Sequence, residues 1–204
     1  MENSDILELK NCLSNALRPE NEVRKEAEKN LRDFKDSSPQ NYWIYLLNVL
    51  CDHETRSEVR VLSAILLRTA FLASQDHNKN LWSVLSAENR EYIEKHILKL
   101  VEVETDKSVM NAIANLLSEV IGSLYEIEDQ VHMEEPHELC KQFIESNDQM
   151  RVLTALNIYI GIFDKLSEQI MDIKEDLKTV FKVTMSSEDP EIAFLGLKAT
   201  CKLV

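Results

Sequence analysis

Apolar side chains recur every three or four residues along almost the entire chain, and this spacing constrains the fold more than any other feature. Leu9 and Leu13 show the step near the start, and Leu153 and Leu156 show it far downstream. Such steps place residues on one face of an α-helix, whereas a strand would need alternation. The 204 residues include only three glycines and four prolines, too few for the many turns of an all-β or α/β protein. We therefore predict an all-α fold with ten helices in succession.

Charge, apolarity and cysteine usage narrow the class of protein. No stretch has the length and apolarity of a transmembrane helix, and the start lacks the basic and apolar segments of a signal peptide. We expect a soluble, intracellular protein. Its net charge of −13 disfavours direct binding to nucleic acid or anionic membranes and favours basic partners. The cysteines show no C-x-x-C spacing and stand among apolar neighbours, which predicts reduced core thiols. They are Cys12, Cys51, Cys140 and Cys201.

One helix opening occurs twice, as "NEVRKEAEKNL" from Asn21 and as "SEVRVLSAILL" from Ser57, 36 residues later. Aligning every second helix on the valine of this opening gives a column with spacings of 36, 50, 41 and 41 residues. A period of about forty residues with two helices per unit is the HEAT-repeat pattern, in which neighbouring pairs must stack to bury their apolar faces. The column consists of Val23, Val59, Val109, Met150 and Glu191.

The period predicts a single right-handed α-solenoid of about five HEAT repeats over residues 1–204. The last residues stop within an apolar stripe and lack a polar cap, so we expect the chain to be the N-terminal fragment of a longer superhelix. The predicted repeats cover residues 5–36, 39–74, 86–126, 136–167 and 169–204.

Acidic residues before the second helices and arginines in the first turns of those helices are spaced so that they could pair between successive repeats. We expect these arginines to be structural. The acids are Glu54, Glu104 and Glu145, and the arginines are Arg24, Arg60 and Arg151.

The opening repeat, "LSNALRPENEVRKEAEKNLRDFKDSSPQNYWIYLLNVL", resembles the N-terminal repeat of importin-β-type nuclear transport receptors, the karyopherin-β superfamily. The shared features are a leucine-rich helix, a Pro/Asn turn and a "VRK-x-AE-x-x-L" helix. The segment "EVRVLSAILLRTAF" is similar to the second repeat of these receptors. Residues 81–124 look like the third repeat of the karyopherin beta-3 branch, although Met110 replaces the usual basic residue and the following loop, "VHMEEPHELC", is reshaped.

The resemblance implies a receptor that shuttles between cytoplasm and nucleus through the pores of the nuclear envelope. It implies three kinds of partner: Ran-GTP, the Phe-Gly repeats of nucleoporins, and cargo proteins with basic import signals. In such receptors the second helices face Ran, and grooves between first helices take Phe-Gly repeats. The candidate Ran-binding residues carried over to this chain are Arg24, Lys25, Glu28, Arg32, Arg60, Arg68, Asn111, Asn115 and Glu119.

Other interpretations of the same features remain open. A charged helix face is commonly only solvated surface. The stacking pattern is shared with HEAT scaffold subunits of phosphatase or coat-type complexes, which have no transport role. The aromatic group Tyr42, Trp43 and Tyr45 is more typical of core packing than of a Phe-Gly groove.

No catalytic chemistry is predicted. The chain lacks a Gly-rich phosphate loop, G-x-S-x-G and H-E-x-x-H, so we expect neither an enzyme nor a cofactor. The segment "HMEEPHELC" offers zinc-type ligands, but their spacing matches no common site and we predict no metal. Those ligands are His132, Glu134, Glu135, His137 and Cys140.

Overall fold

The computed structural model describes residues 4–72, 85–128, 134–146, 148–166 and 173–203. Within these ranges the chain forms α-helices joined by turns, without strands, and no helix combines the length and apolarity needed to cross a membrane. The helices are α1 Ser4–Ala16, α2 Asn21–Ser37, α3 Pro39–Cys51, α4 Ser57–Leu72, α5 Ala87–Val103, α6 Lys107–Glu128, α7 Glu134–Glu145, α8 Gln149–Leu166, α9 Lys174–Met185 and α10 Pro190–Leu203.

Consecutive helices pack as pairs: α1 with α2, α3 with α4, α7 with α8, and α9 with α10. First helices of successive pairs also contact one another, as α1 does with α3 and α3 with α5. The prediction of an all-α, HEAT-type fold is confirmed. The chain divides into two compact units, Met1–Ile113 and Ala114–Val204, and our predicted repeat boundaries remain a prediction.

In the first unit, burial follows the contrast between the two similar helix openings. The charged helix α2 buries only Ala27 and Leu31, and its Val23 is 37% exposed. In contrast, α4 buries apolar residues along its length, including Val59 and Leu67. Because α2 needs only one narrow apolar stripe, charged side chains can fill the rest of its surface.

In the second unit, aromatic rings join three helices. Tyr159 and Phe163 on α8 stack with ring centroids 5.9 Å apart, and Phe181 on α9 meets Tyr159 edge-on at 5.6 Å. His137 on α7 reaches the same cluster, with Nδ1 2.9 Å from the Tyr159 hydroxyl. These contacts fix α7, α8 and α9 around one core.

Aspartates cap three of the second helices. Asp106, Asp148 and Asp189 accept backbone N–H bonds from residues two and three positions further on, as N-caps do. The Asp189-Pro190 start predicted for the last helix is confirmed.

The caps correct the alignment of the later repeats. Val109 stands three residues after its cap, and the positions equivalent to it are Arg151 and Ile192. Met150 and Glu191, which our column used, each lie one residue too early. The error arose because neither equivalent position, Arg151 or Ile192, is a valine.

One further expectation needs correction. Cys201 is exposed, so it is not a core thiol, although Cys140 is buried. Helix α9, as described, begins at Lys174, with Ile173 as its N-cap residue, and it buries Leu177 and Phe181.

Candidate protein-binding surface

Four of the candidate residues lie on the solvent side of α2. Arg24, Lys25, Glu28 and Arg32 are all exposed, as expected for positions away from the buried Ala27 stripe. This helix therefore presents a polar surface that a partner can reach.

The ion pairs on α2 are local and loose. Arg24 donates a 3.0 Å hydrogen bond to Asn21 and lies 4.0 Å from the Glu28 carboxylate, while Lys25 lies 3.5 Å from Glu22. Exposed pairs of this kind contribute little to stability, so their side chains can turn to a partner at low cost.

Lys29 belongs to the same surface and was missed by the sequence reasoning. It is exposed and stands one helical turn after Lys25 and one before Arg32. Its position away from the apolar stripe was the signal that could have identified it.

Arg60 on α4 does not belong to an accessible surface, because it is only 3% exposed. Its Nε donates a 2.8 Å bond to the Leu50 carbonyl, and its Nη2 is paired with the Glu104 carboxylate. This is the arginine–acid contact between successive helix pairs that the sequence predicted. We therefore remove Arg60 from the candidate surface.

The Glu104 carboxylate is held in its charged form. Burial alone would raise its pKa, but N–H bonds from Asp106 and Thr105 and the Arg60 guanidinium outweigh that effect. The pKa of Glu104 consequently lies below its ordinary value.

The predicted pairing is absent from the other two arginines as far as the described contacts show. Arg24 bonds within its own helix. Arg151 lies 3.8 Å from Asp148 and over the ring of Phe143, with 5.2 Å to the centroid. The carboxylate near each of these arginines is within one helical turn of it: Glu28 for Arg24 and Asp148 for Arg151.

Among the later candidates, Asn111 and Asn115 on α6 are exposed, and Arg68 on α4 is half-buried. Glu119 is buried and forms an ion pair with Lys165 on α8. We therefore assign Glu119 a role in helix packing and leave it out of the surface.

The first helices α3 and α5 carry a second exposed feature. The Tyr92 ring lies against His96, with centroids 3.8 Å apart and the rings tilted by 31°, and its hydroxyl lies 3.5 Å from the Asn48 side chain. Burial, followed by the nearby Cys51, raises the pKa of Tyr92, so the hydroxyl stays protonated. An exposed aromatic face here can contact an apolar group.

The aromatic group at the start of α3 is core, as the sequence favoured. Tyr42 and Trp43 are buried, and burial raises the pKa of Tyr42 to about 12. Phe34 and Tyr45 flank them, with ring centroids 6.1 Å apart, and the Lys35 ammonium lies 5.5 Å from the Trp43 ring.

In the segment "HMEEPHELC", the described His and Cys side chains serve packing and hydrogen bonding. His137 is hydrogen-bonded to Tyr159, and burial raises the pKa of the Cys140 thiol, which stays protonated. His132 lies outside the described residues. The described part of the chain contains no group of three or more His, Cys, Asp or Glu placed to hold a metal ion. An open concavity on α7 is lined by Glu134, Glu135, Glu138, Leu139 and Gln142.

Comparison with known proteins identifies similar sequences and folds. A sequence model of the importin-beta N-terminal domain matches residues 27–102. The crystal structure of Kap121p bound to RanGTP superposes with a TM-score of 0.78 at 14% identity, covering 99% of this chain and 18% of that one. Yeast importin-beta (Kap95p) gives 0.66 at 19% identity, with coverages of 97% and 24%. The Kap95:Nup1 complex gives 0.67 with the same identity and coverages.

These structural similarities concern the fold. The chain spans less than a fifth of the length of Kap121p and about a quarter of that of Kap95p. The matched segment of the sequence model contains most of α2 and all of α3, α4 and nearly all of α5, which are the helices that carry the exposed features of the first unit.

Proposed function

We propose that this chain is the N-terminal arm of an importin-β-type nuclear transport receptor and that it helps to bind Ran-GTP. The observation that carries the proposal is the match of the importin-beta N-terminal domain to residues 27–102. The fold shared with Kap121p, whose structure was determined bound to RanGTP, supports it. We also propose that the receptor belongs to the karyopherin beta-3 branch, carries cargo proteins with basic import signals, and shuttles between cytoplasm and nucleus.

The contact surface we propose is the solvent side of α2. It contains Arg24, Lys25, Glu28 and Arg32, together with Lys29. Exposed charges of this kind raise the rate and specificity of association more than the final affinity. Asn111 and Asn115 on α6 add neutral donors and acceptors to the proposal.

The experiment measures binding of the chain to immobilised Ran loaded with GTP or GDP. We expect capture by Ran-GTP, weak capture by Ran-GDP, and a drop of about tenfold in affinity for K25E/R32E, because two surface contacts become repulsive. The control matched in charge is K95E/K99E on α5, at two exposed lysines outside this surface, which should bind like the unmodified chain.

Equal capture of both nucleotide states, or of neither, would contradict the proposal and favour a HEAT scaffold without a transport role. Equal weakening by K95E/K99E would show that only net charge matters. The K25E/R32E result thus tests the surface separately from the function.

A second contact proposed for the same receptor lies between α3 and α5. The exposed Tyr92 ring, supported by His96 and Asn48, suits the aromatic side chain of a Phe-Gly repeat. The Kap95:Nup1 complex supports the idea of a nucleoporin contact on this fold. Tyr92→Ala should abolish binding of a Phe-Gly peptide and leave Ran-GTP capture unchanged, whereas an unaltered peptide affinity would remove this site from the proposal.

A further inference from the structure

Helix α4 carries an apolar patch on the side turned away from its buried residues. Ile65 is 41% exposed, whereas Leu67 on the other side of the helix is buried. Three more apolar side chains are partly exposed, and their spacing from Ile65 places them on adjacent turns of the same face. They are Val61, Leu62 and Leu66. We call these three residues and Ile65 the α4 patch.

The equivalent positions on α2 are all polar. The two similar helix openings are offset by 36 residues, so the equivalents of the α4 patch are Lys25, Glu26, Lys29 and Asn30. Each of these four side chains is exposed. A single exposed apolar residue is ordinary and needs no partner. A helix face that only borders water can be polar throughout, as it is on α2, so four apolar residues on this face of α4 indicate contact with another molecule.

The α4 patch lies beside the proposed contact surface of α2. Helix α1 packs against both α2 and α4, and so does α3. Arg60 and Ser63 on α4 donate hydrogen bonds to carbonyls of α3, at 2.8 Å and 2.6 Å, so the α4 patch is turned away from α3. Because α2 and α4 pack on the same two helices, their exposed faces border one another on one side of the first unit.

We propose that the α4 patch is the apolar centre of the Ran-GTP contact, with Ile65 as its main contact residue and the charged side chains of α2 as its rim. This inference rests on the proposed function. The importin-beta N-terminal domain match includes all of α4 and most of α2. Stable interfaces combine a desolvated apolar centre with a polar rim, and α2 alone supplies only the rim.

The same arrangement describes the face of the partner. The α2 surface named above contains four basic residues and one acidic residue. A complementary face therefore carries an apolar side chain opposite Ile65 and acidic groups opposite α2.

The centre and the rim should affect different rate constants. Exposed charges attract a partner before contact, so the α2 side chains govern the association rate and its dependence on salt. An apolar side chain gains only after water has been expelled from the docked interface, so Ile65 governs the dissociation rate.

The experiment measures association and dissociation rates of the chain on immobilised Ran-GTP at ~50 and ~300 mM NaCl. We expect Ile65→Ala to dissociate about tenfold faster and to associate within about twofold of the unmodified rate at both salt concentrations. K25E/R32E should mainly associate more slowly, and this difference should shrink at the higher salt concentration.

The matched control is Leu7→Ala on α1, because Leu7 is 50% exposed and lies outside the α4 patch. It should dissociate like the unmodified chain. Circular dichroism and the melting temperature show whether each variant is folded, and both alanine variants are expected to be, since the replaced side chains are exposed.

The outcomes separate this inference from the proposed function. If the unmodified chain captures Ran-GTP and Ile65→Ala dissociates at the same rate, the α4 patch is not the centre of the contact and the proposed function stands. Equal acceleration by Leu7→Ala, or an effect of Ile65→Ala on association alone, also overturns the inference. Failure of the unmodified chain to capture Ran-GTP overturns both.

Discussion

At the scale of single residues, the buried Arg60–Glu104 ion pair links two successive helix pairs. Arg60 is bound at two points, to the Leu50 carbonyl and to the Glu104 carboxylate. Removing one member of a buried pair leaves the other charge without a partner, which costs more than the pair itself contributes.

We expect Arg60→Met to lower the free energy of unfolding by about 3–5 kcal/mol, because Glu104 would remain buried and unpaired. The double variant R60M/E104Q should recover part of that loss. Lys99→Ala, which breaks the exposed Lys99–Glu102 pair, should change stability by less than about 1 kcal/mol. Urea unfolding of the four proteins measures all three effects, and a small loss for Arg60→Met would contradict the role assigned here.

His137 makes stability depend on pH. Burial, followed by the nearby Lys141, lowers its pKa below 6.5, although Asp176 and Glu138 partly oppose this. The unfolded chain then binds the proton more readily than the folded one, so this contribution is complete above pH 6.5 and is lost as pH falls below it. His137→Gln should reduce the fall in melting temperature between pH 7 and pH 5. An unchanged pH profile would show that the histidine titrates as in the unfolded chain.

The sequence predicted which charged residues lie away from the apolar stripe of a helix. It did not predict which of these residues are exposed to solvent and which are buried. Arg24 and Arg60 occupy equivalent positions after the same valine, yet one is exposed and the other buried. The difference comes from neighbouring residues. Arg60 pairs with Glu104, 44 residues further along the chain, whereas Arg24 bonds to Asn21 and lies near Glu28 on its own helix. Such choices depend on packing between distant segments, which spacing alone does not encode.

At the scale of helices, close approach between α6 and α8 depends on glycine. A Cβ added at Gly161 would lie 2.6 Å from the Ser118 hydroxyl oxygen, which itself donates to the Ile158 carbonyl. A Cβ at Gly122 would meet the Cδ of Lys165 at 2.3 Å. The first obstacle is short and hydrogen-bonded, whereas the second is part of a flexible side chain.

Gly161→Ala should therefore lower the free energy of unfolding by about 1–3 kcal/mol. Gly122→Ala should cost less, since Lys165 can rotate away, although its pair with Glu119 would weaken. Thermal unfolding of both variants gives the comparison. A larger loss for Gly122→Ala would mean that the ion pair, and not the glycine contact, holds these helices together.

The positions of the helices could be predicted better than the alignment of equivalent residues between repeats. The three- and four-residue steps predicted the helices that the described residues form and the Asp189-Pro190 start, because each helix buries an apolar stripe of its own. The alignment is one residue off at Met150 and Glu191, since the feature that these helix starts share is an aspartate cap and not an apolar residue. The aspartates themselves are visible in the sequence three residues before Arg151 and Ile192.

At the scale of the whole molecule, the net charge of −13 decides which polymers the chain can approach. Nucleic-acid phosphate is repelled, and the exposed basic side chains of α2 are interspersed with acids such as Glu22 and Glu28. We expect no measurable binding to duplex DNA at ~150 mM salt in a fluorescence-anisotropy titration. Saturable binding that weakens with salt would show that the local basic charges of α2 outweigh the overall field.

The aspartate caps have a consequence for how the protein responds to heat. Asp106 caps α6 and also accepts a 2.7 Å bond from Ser57 at the start of α4. Asp189 likewise caps α10 and accepts a bond from Gln149 at the start of α8. These two caps thus each tie one helix start to the start of the second helix in the previous pair. When one of these helix starts frays, the helix start bonded to it loses a hydrogen bond. Loss of helical structure on heating should therefore spread from one helix pair to the next within each unit.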